Sequence, residues 1–157
     1  MKKILVFLAI FSVFCSVLSR ETTYSDDFIR RFQVRHITQG DGENYPFKGD
    51  EVSVHYIGTF PNSGEVFDSS HSRNEALTFT LGRNHVIPCW DEVVENMSKG
   101  EKIYFVCPHS LAYGEAGAGS IIPPNSDLAF EVELISFVSN QKEVTPPQAE
   151  VNQHSEL

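Results

Sequence analysis

The chain has 157 residues, 41% of them hydrophobic and 21% charged, with a formal net charge of −9. That length holds one ordinary domain with tails, and the composition is that of a globular protein rather than a collagen-like or disordered one. Twelve Lys and Arg in a net-acidic chain exclude a nucleic-acid binder, which needs clustered cations, and three cysteines are too few for a disulfide scaffold.

Met1-Lys2-Lys3 gives a positive start, Ile4 to Val17 is almost wholly apolar, and Val17-Leu18-Ser19 sets small residues ahead of a cleavage point. This is the layout of a secretory signal peptide over residues 1–19. The apolar run is shorter than the roughly 20 residues a membrane span needs, so no span is expected after cleavage. Residues 20–27 then read as a linker.

Phe32 to Ile37 alternates partially and reads as a strand, followed by an Asp41-Gly42 turn. Val52, Val54 and Tyr56 alternate cleanly on one face of a second strand. Asn62-Ser63-Gly64 marks a turn, after which Val66-Phe67-Asp68 resumes extended structure. Leu77 to Leu81 alternates and stops at Gly82. Trp90, Val93, Val94 and Met97 instead recur with helical spacing. Pro88 suits the first turn of that helix, Asp91 and Glu92 lie near its positive end, and Lys99-Gly100 closes it. Lys102 to Cys107 is a β-rich run stopped by Pro108. Residues 111–127 form a long Gly-rich loop, of the kind that is functional or disordered; Tyr113, Ile121 and Ile122 argue against disorder. Leu128 to Val138 alternates, with Phe130, Val132 and Leu134 inward and Glu131 and Glu133 outward.

The residues therefore predict an α+β domain over 28–138: an antiparallel sheet of five or six strands wrapped around one short helix. Residues 139–157 are polar, carry Pro146-Pro147, and read as a disordered acidic tail. The last four residues, His154-Ser155-Glu156-Leu157, are similar to endoplasmic-reticulum retrieval signals, with Ser in place of Asp. Residence in the endoplasmic reticulum lumen is the expectation, with secretion as the alternative.

Several runs occur in one order: Val54-His55-Tyr56-Ile57-Gly58, Phe67-Asp68-Ser69-Ser70 with Arg73-Asn74, Leu81-Gly82, and Val86-Ile87-Pro88-Cys89-Trp90. Met97-Ser98-Lys99-Gly100, Leu111-Ala112-Tyr113-Gly114, Ile121-Ile122-Pro123-Pro124-Asn125 and Leu128 to Leu134 follow. With these runs the sequence resembles the FKBP family of peptidyl-prolyl cis/trans isomerases. The resemblance implies a sheet wrapped around a short helix and the catalysed rotation of Xaa-Pro bonds during protein folding. It implies no cofactor and no metal. The partners it implies are proline-containing polypeptides of the secretory pathway and the ligands tacrolimus and rapamycin, bound by a monomer.

It also implies a site. Trp90 would be the floor under the prolyl ring, with Tyr56, Phe67 and Phe130 as walls. Val86 and Ile87 would form one rim, and Tyr113, Ile121 and Ile122 the other. The Ile87 backbone N–H and the Tyr113 hydroxyl would bond ligand carbonyls, and Asp68, linked to Tyr56 and Arg73, would orient and polarise rather than act as a base. Leu77 stands where a wall Phe is common. Ala118 stands where the loop often has His, Gly119-Ser120 replaces Pro-Gly, His85 replaces a frequent Glu, and the turn at Asn62 is one residue longer.

Each residue also has a plainer reading. The aromatic residues are those of any small core, with Phe79 either core or a second wall, and Asp68 is also a turn-capping residue. A non-catalytic proline-peptide or client-binding module on the same fold is therefore the alternative to the enzyme. Cys89 beside Trp90 and Cys107 at a strand end are near neighbours in this arrangement, either bridged or as two buried thiols. The six histidines show no metal-ligand spacing. Asn96-Met97-Ser98 is a glycosylation sequon at a helix end, where an ordered chain disfavours modification.

Overall fold

A computed structural model describes residues 24–139. The leader expected at 1–19, the sequence from 140 on and the His154-Ser155-Glu156-Leu157 ending lie outside the described residues. The first element is a helix, α1 (Asp26–Phe32). The Ser25 hydroxyl accepts the Phe28 N–H at 3.2 Å, Asp26 and Asp27 occupy its first turn, and Arg30 and Arg31 its last. This arrangement caps free amides and matches charge to the helix dipole. It takes over Phe32, which alternation alone assigned to a strand, and leaves β1 as Arg35–Thr38.

The packed unit also reaches back past Phe28. Tyr24 is buried, stacks on Phe28 with ring centroids 5.1 Å apart, and donates its hydroxyl to Glu101 at 3.2 Å. Glu101 is itself 1% exposed and takes the Ser98 N–H at 2.8 Å, with His36 Nδ1 at 3.0 Å. Burial, then the Glu101 charge, drives the Tyr24 pKa well above the ordinary tyrosine value. A buried carboxylate is tolerated only with such partners. The network therefore fastens the segment before α1 to Glu101 and the Ser98 turn that precedes it.

The remaining elements are β2 (Glu51–Thr59), β3 (Val66–Ser69), α2 (Ser70–Arg73), β4 (Leu77–Thr80), α3 (Pro88–Val94), β5 (Lys102–Cys107) and β6 (Leu128–Val138). All six strands pair antiparallel in the order β1-β5-β6-β2-β3, and β4 also pairs with β2. The expected sheet is present; the helix count differs, since α1 and the single-turn α2 join α3. A bulge opposite Ser53 and Val54 skips Ile135, so Phe137 as well as Leu134 packs toward the core.

Along β2, Val52, Val54, Tyr56 and Gly58 point inward, against α3 residues Trp90, Val93 and Val94. Helix α3 stops at Val94, earlier than the Met97 that its spacing predicts. The Asn96 and Met97 amides reach back only three residues, and Asn96 Nδ2 donates to the Glu92 carbonyl at 2.8 Å. Met97 still fills the core from this turn.

Candidate active site

β3 and β4 share one edge of β2. β4 covers Glu51 to Val54 and β3 covers Ile57 to Thr59, so neither strand pairs with His55 or Tyr56 on that edge. A side chain fills the gap. The Ser70 hydroxyl accepts the Tyr56 N–H at 2.8 Å and lies 3.2 Å from the Tyr56 carbonyl. Ser70 is fully buried at the start of α2, which satisfies a backbone pair that would otherwise be stranded. The break in the ladder sets Tyr56, Asp68 and Arg73 around one point.

At that point Asp68 Oδ2 accepts the Tyr56 hydroxyl, and Oδ1 accepts both Arg73 Nη1 and the Ser69 N–H. Arg73 Nη2 also donates to the Tyr56 oxygen at 2.7 Å. Burial pushes the Asp68 carboxyl up, but the hydrogen bonds from Tyr56, Arg73 and Ser69 and the Arg73 charge outweigh it and hold the carboxyl below its ordinary value. The Tyr56 hydroxyl is pushed up, first by burial and then by Asp68. A carboxylate so fully engaged stays ionised and is a poor proton acceptor; it holds its neighbours in place.

Beside this polar corner is a cavity of about 190 Å³ whose floor is Trp90, 3% exposed. Phe130 meets the indole edge-on with centroids 5.2 Å apart, and Tyr56 does so at 5.1 Å. Phe67 stands edge-on to Phe130 at 5.8 Å. Such pairs add attraction beyond buried area and fix ring directions. The indole Nε1 is buried with no hydrogen-bond partner among the described residues. Gly58 is what lets Phe67 lie this close: a Cβ there would sit 2.6 Å from the Phe67 ring and 3.1 Å from that of Phe130.

Leu77, Val86, Ile87 and Tyr113 complete the wall. Two donors at this wall are unused within the described residues: the Ile87 backbone N–H, ahead of Pro88 at the helix start, and the hydroxyl of Tyr113, which is 42% exposed. The structure does not bring Arg73, Ile121 or Ile122 to the cavity wall. Arg73 works through Asp68 and Tyr56. Ile121 is 61% exposed, and Ile122 turns into the core while its carbonyl accepts the Ala118 N–H at 2.9 Å. Phe79 is also core, its ring 6.1 Å from that of Trp90.

One wall residue is absent from the expected site. His85 lines the cavity, with Nδ1 accepting the Thr80 N–H at 3.4 Å. Its adjacency to Val86 and Ile87 was the available signal. Below the floor, Cys89 and Cys107 are joined in a disulfide between α3 and the end of β5, with Cα atoms 5.9 Å apart. Among the described residues no group of three or more His, Cys, Asp or Glu is placed to hold a metal. The site can therefore enclose a compact apolar ring, offer two hydrogen bonds to adjacent carbonyls and keep water scarce around them.

A family profile described as FKBP-type peptidyl-prolyl cis-trans isomerase matches residues 42–135. The chain is 48% identical over 103 residues to the peptidyl-prolyl cis-trans isomerase FKBP1A of Xenopus laevis, covering 66% of this chain and 94% of that protein. It is 49% identical over 104 residues to FK506-binding protein 1 of Rhizopus delemar, covering 66% and 95%. It is 50% identical over 91 residues to the peptidyl-prolyl cis-trans isomerase FPR2 of Saccharomyces cerevisiae, covering 58% and 67%.

Proposed function

The chain belongs to the family of FKBP-type peptidyl-prolyl cis-trans isomerases, and on that premise we propose that it accelerates Xaa-Pro rotation in polypeptides folding within the secretory pathway. The isomerase activity goes with the family. The observation that carries the reading of the site is the aromatic cavity flanked by two unused donors, Ile87 N–H and the Tyr113 hydroxyl.

The chemistry asks for little more. Rotation of an Xaa-Pro amide must cross a barrier of roughly 18–20 kcal/mol because twisting breaks its resonance. The twisted amide separates less charge than the planar one, so an apolar enclosure over Trp90 favours it relative to the ground state. Ile87 N–H and Tyr113 fix the flanking carbonyls, so the prolyl ring stays seated while the bond turns. Asp68 and Arg73 hold Tyr56 in the wall.

The cellular setting rests on three supports: the apolar run after Lys2-Lys3, the His154-Ser155-Glu156-Leu157 ending, and the buried disulfide, which suits an oxidising compartment. Removal of the last four residues should divert the protein to the medium; equal secretion of both forms would refute retrieval. The name of the Rhizopus delemar relative supports a second ligand class, FK506 (tacrolimus) and similar macrocycles, in the same cavity. The site is complete in one chain, which supports action as a monomer. A protease-coupled assay on Xaa-Pro peptides tests the activity: acceleration should be abolished by FK506, and a wild-type protein without acceleration would overturn the reading.

A further inference from the structure

We propose that His85 is a specificity-determining residue of this site, favouring substrates that carry a carboxylate next to the proline. The proposal rests on the isomerase reading and adds a substrate class to it.

His85 stands on the cavity wall two residues before Ile87, the donor for a substrate carbonyl. A peptide carbonyl docked on Ile87 N–H therefore brings a neighbouring side chain toward the imidazole. The Nδ1 of His85 is an acceptor for Thr80 N–H, so the neutral ring carries its hydrogen on Nε2 and presents a donor there. When protonated, the ring presents a cation.

Within the described residues no carboxylate pairs with it, although His36 and His109 both have acidic partners. Asp68, Asp91 and Glu95 are each already engaged by another group. On the cavity wall, Asp68 is held by Arg73, and Tyr56 and Tyr113 contribute hydroxyls. Behind the ring, β4 carries no titratable side chain, and Thr80 faces the exposed Glu51 across the β2 ladder. On α3, Asp91 accepts the Gly82 N–H at 2.8 Å. Lys48, whose stem lies over Gly82, pairs with Glu95 at 3.5 Å. Arg83, on the loop of His85 itself, adds positive charge without an acidic partner among the described residues. The missing anion is one that a substrate brings.

Peptides matched except for Glu, Leu or Lys immediately before or after the proline test this. Their kcat/KM values are compared for the wild type, His85→Gln and His85→Glu at a pH where a substrate Glu is ionised. Each protein's own Leu peptide is the denominator, so effects common to all substrates cancel. The Glu/Leu ratio of the wild type should exceed that of His85→Glu by about two- to fivefold, the scale of an exposed charge contact. It should take an intermediate value in His85→Gln, and the order should reverse when Lys replaces Glu. Equal ratios in wild type and His85→Glu at both positions, with the Leu peptide still accelerated, would overturn the inference alone. A Leu peptide not accelerated by the wild type would overturn the isomerase reading and this inference with it.

Discussion

Tyr56 gives its hydroxyl to Asp68 from a strand position whose own backbone N–H is taken by the Ser70 side chain. On this edge of β2 the wall of the cavity is thus held through a hydroxyl bridge rather than by a strand, while β6 pairs with the other edge. Asp68→Val removes the acceptor for both Tyr56 and Arg73. Hydrogen bonds to charged groups contribute about 1.5–3 kcal/mol, and partial exposure places this one at the lower end. A loss of about tenfold in kcat/KM is expected, equivalent to about 1.4 kcal/mol, with Tyr56→Phe losing less. A positioning role for Asp68 requires that kcat/KM for an uncharged peptide not follow a carboxylate titration; a profile that tracked one, and vanished in Asp68→Asn, would contradict this role.

The lowered Asp68 pKa also has a consequence for stability. A carboxyl that ionises more readily folded than unfolded stabilises the fold above its unfolded pKa, about 3.9. It loses that contribution as pH falls through the folded value. Asp68 and Arg73 side chains are 40% and 48% exposed, so the contribution is the small one of a solvent-screened surface pair. Denaturant curves should show wild type more stable than Asp68→Asn at pH 7 and the difference fading toward pH 2. A difference that widened in acid would show the opposite sign.

Gly58→Ala is expected to damage the site more than the fold. The added methyl meets the Phe67 ring at 2.6 Å and can be relieved by swinging that ring into the cavity. Overpacking of this kind costs about 1–3 kcal/mol. KM for peptides and Kd for FK506 should rise, and Phe67→Leu in the same chain should restore part of the affinity. Unchanged binding in a folded Gly58→Ala protein would show that the wall yields elsewhere.

Cys89 and Cys107 close a loop with a sequence separation of 18. Loop closure of that size restricts the unfolded chain by about 3 kcal/mol. Cys89→Ala with Cys107→Ala should lower the unfolding free energy by about 2–4 kcal/mol. Peptide maps with and without reductant should differ at this pair alone, and free alkylation of both thiols in unfolded, unreduced protein would exclude the bridge.

Much of this architecture is legible before any coordinates. Lys102 to Cys107, a β-rich run stopped by Pro108, and Leu128 to Val138, an alternating one, are strands over the expected ranges, and both are largely buried. α1 was hidden although its signals are present: Ser25, two acids, then two arginines. A six-residue alternation across Phe32 competes with them, and the deciding contacts, Tyr24 on Phe28 and on Glu101, span 77 positions in the second case. Trp90, Tyr56, Phe67 and Phe130 converge as the motif order implies. Ile121 and Ile122 do not, because the backbone bridge between Ala118 and Ile122 sends one side chain outward and the other into the core. His85 is legible in the sequence only as a replacement of a frequent Glu, since nothing in its type alone distinguishes a cavity wall from a solvated loop.

Trp90 is the single tryptophan of the whole sequence. Its position on the cavity floor gives the molecule a built-in optical probe. Emission excited in the indole band comes from one ring, whose surroundings are three other aromatic rings, and a space that is either empty or filled. Occupancy by a prolyl peptide or a macrocycle is therefore readable as a change in intensity without any label. Loss of the fold exposes the same ring to water and shifts its emission to longer wavelength. Titration and denaturation can be followed on one fluorophore and told apart by colour.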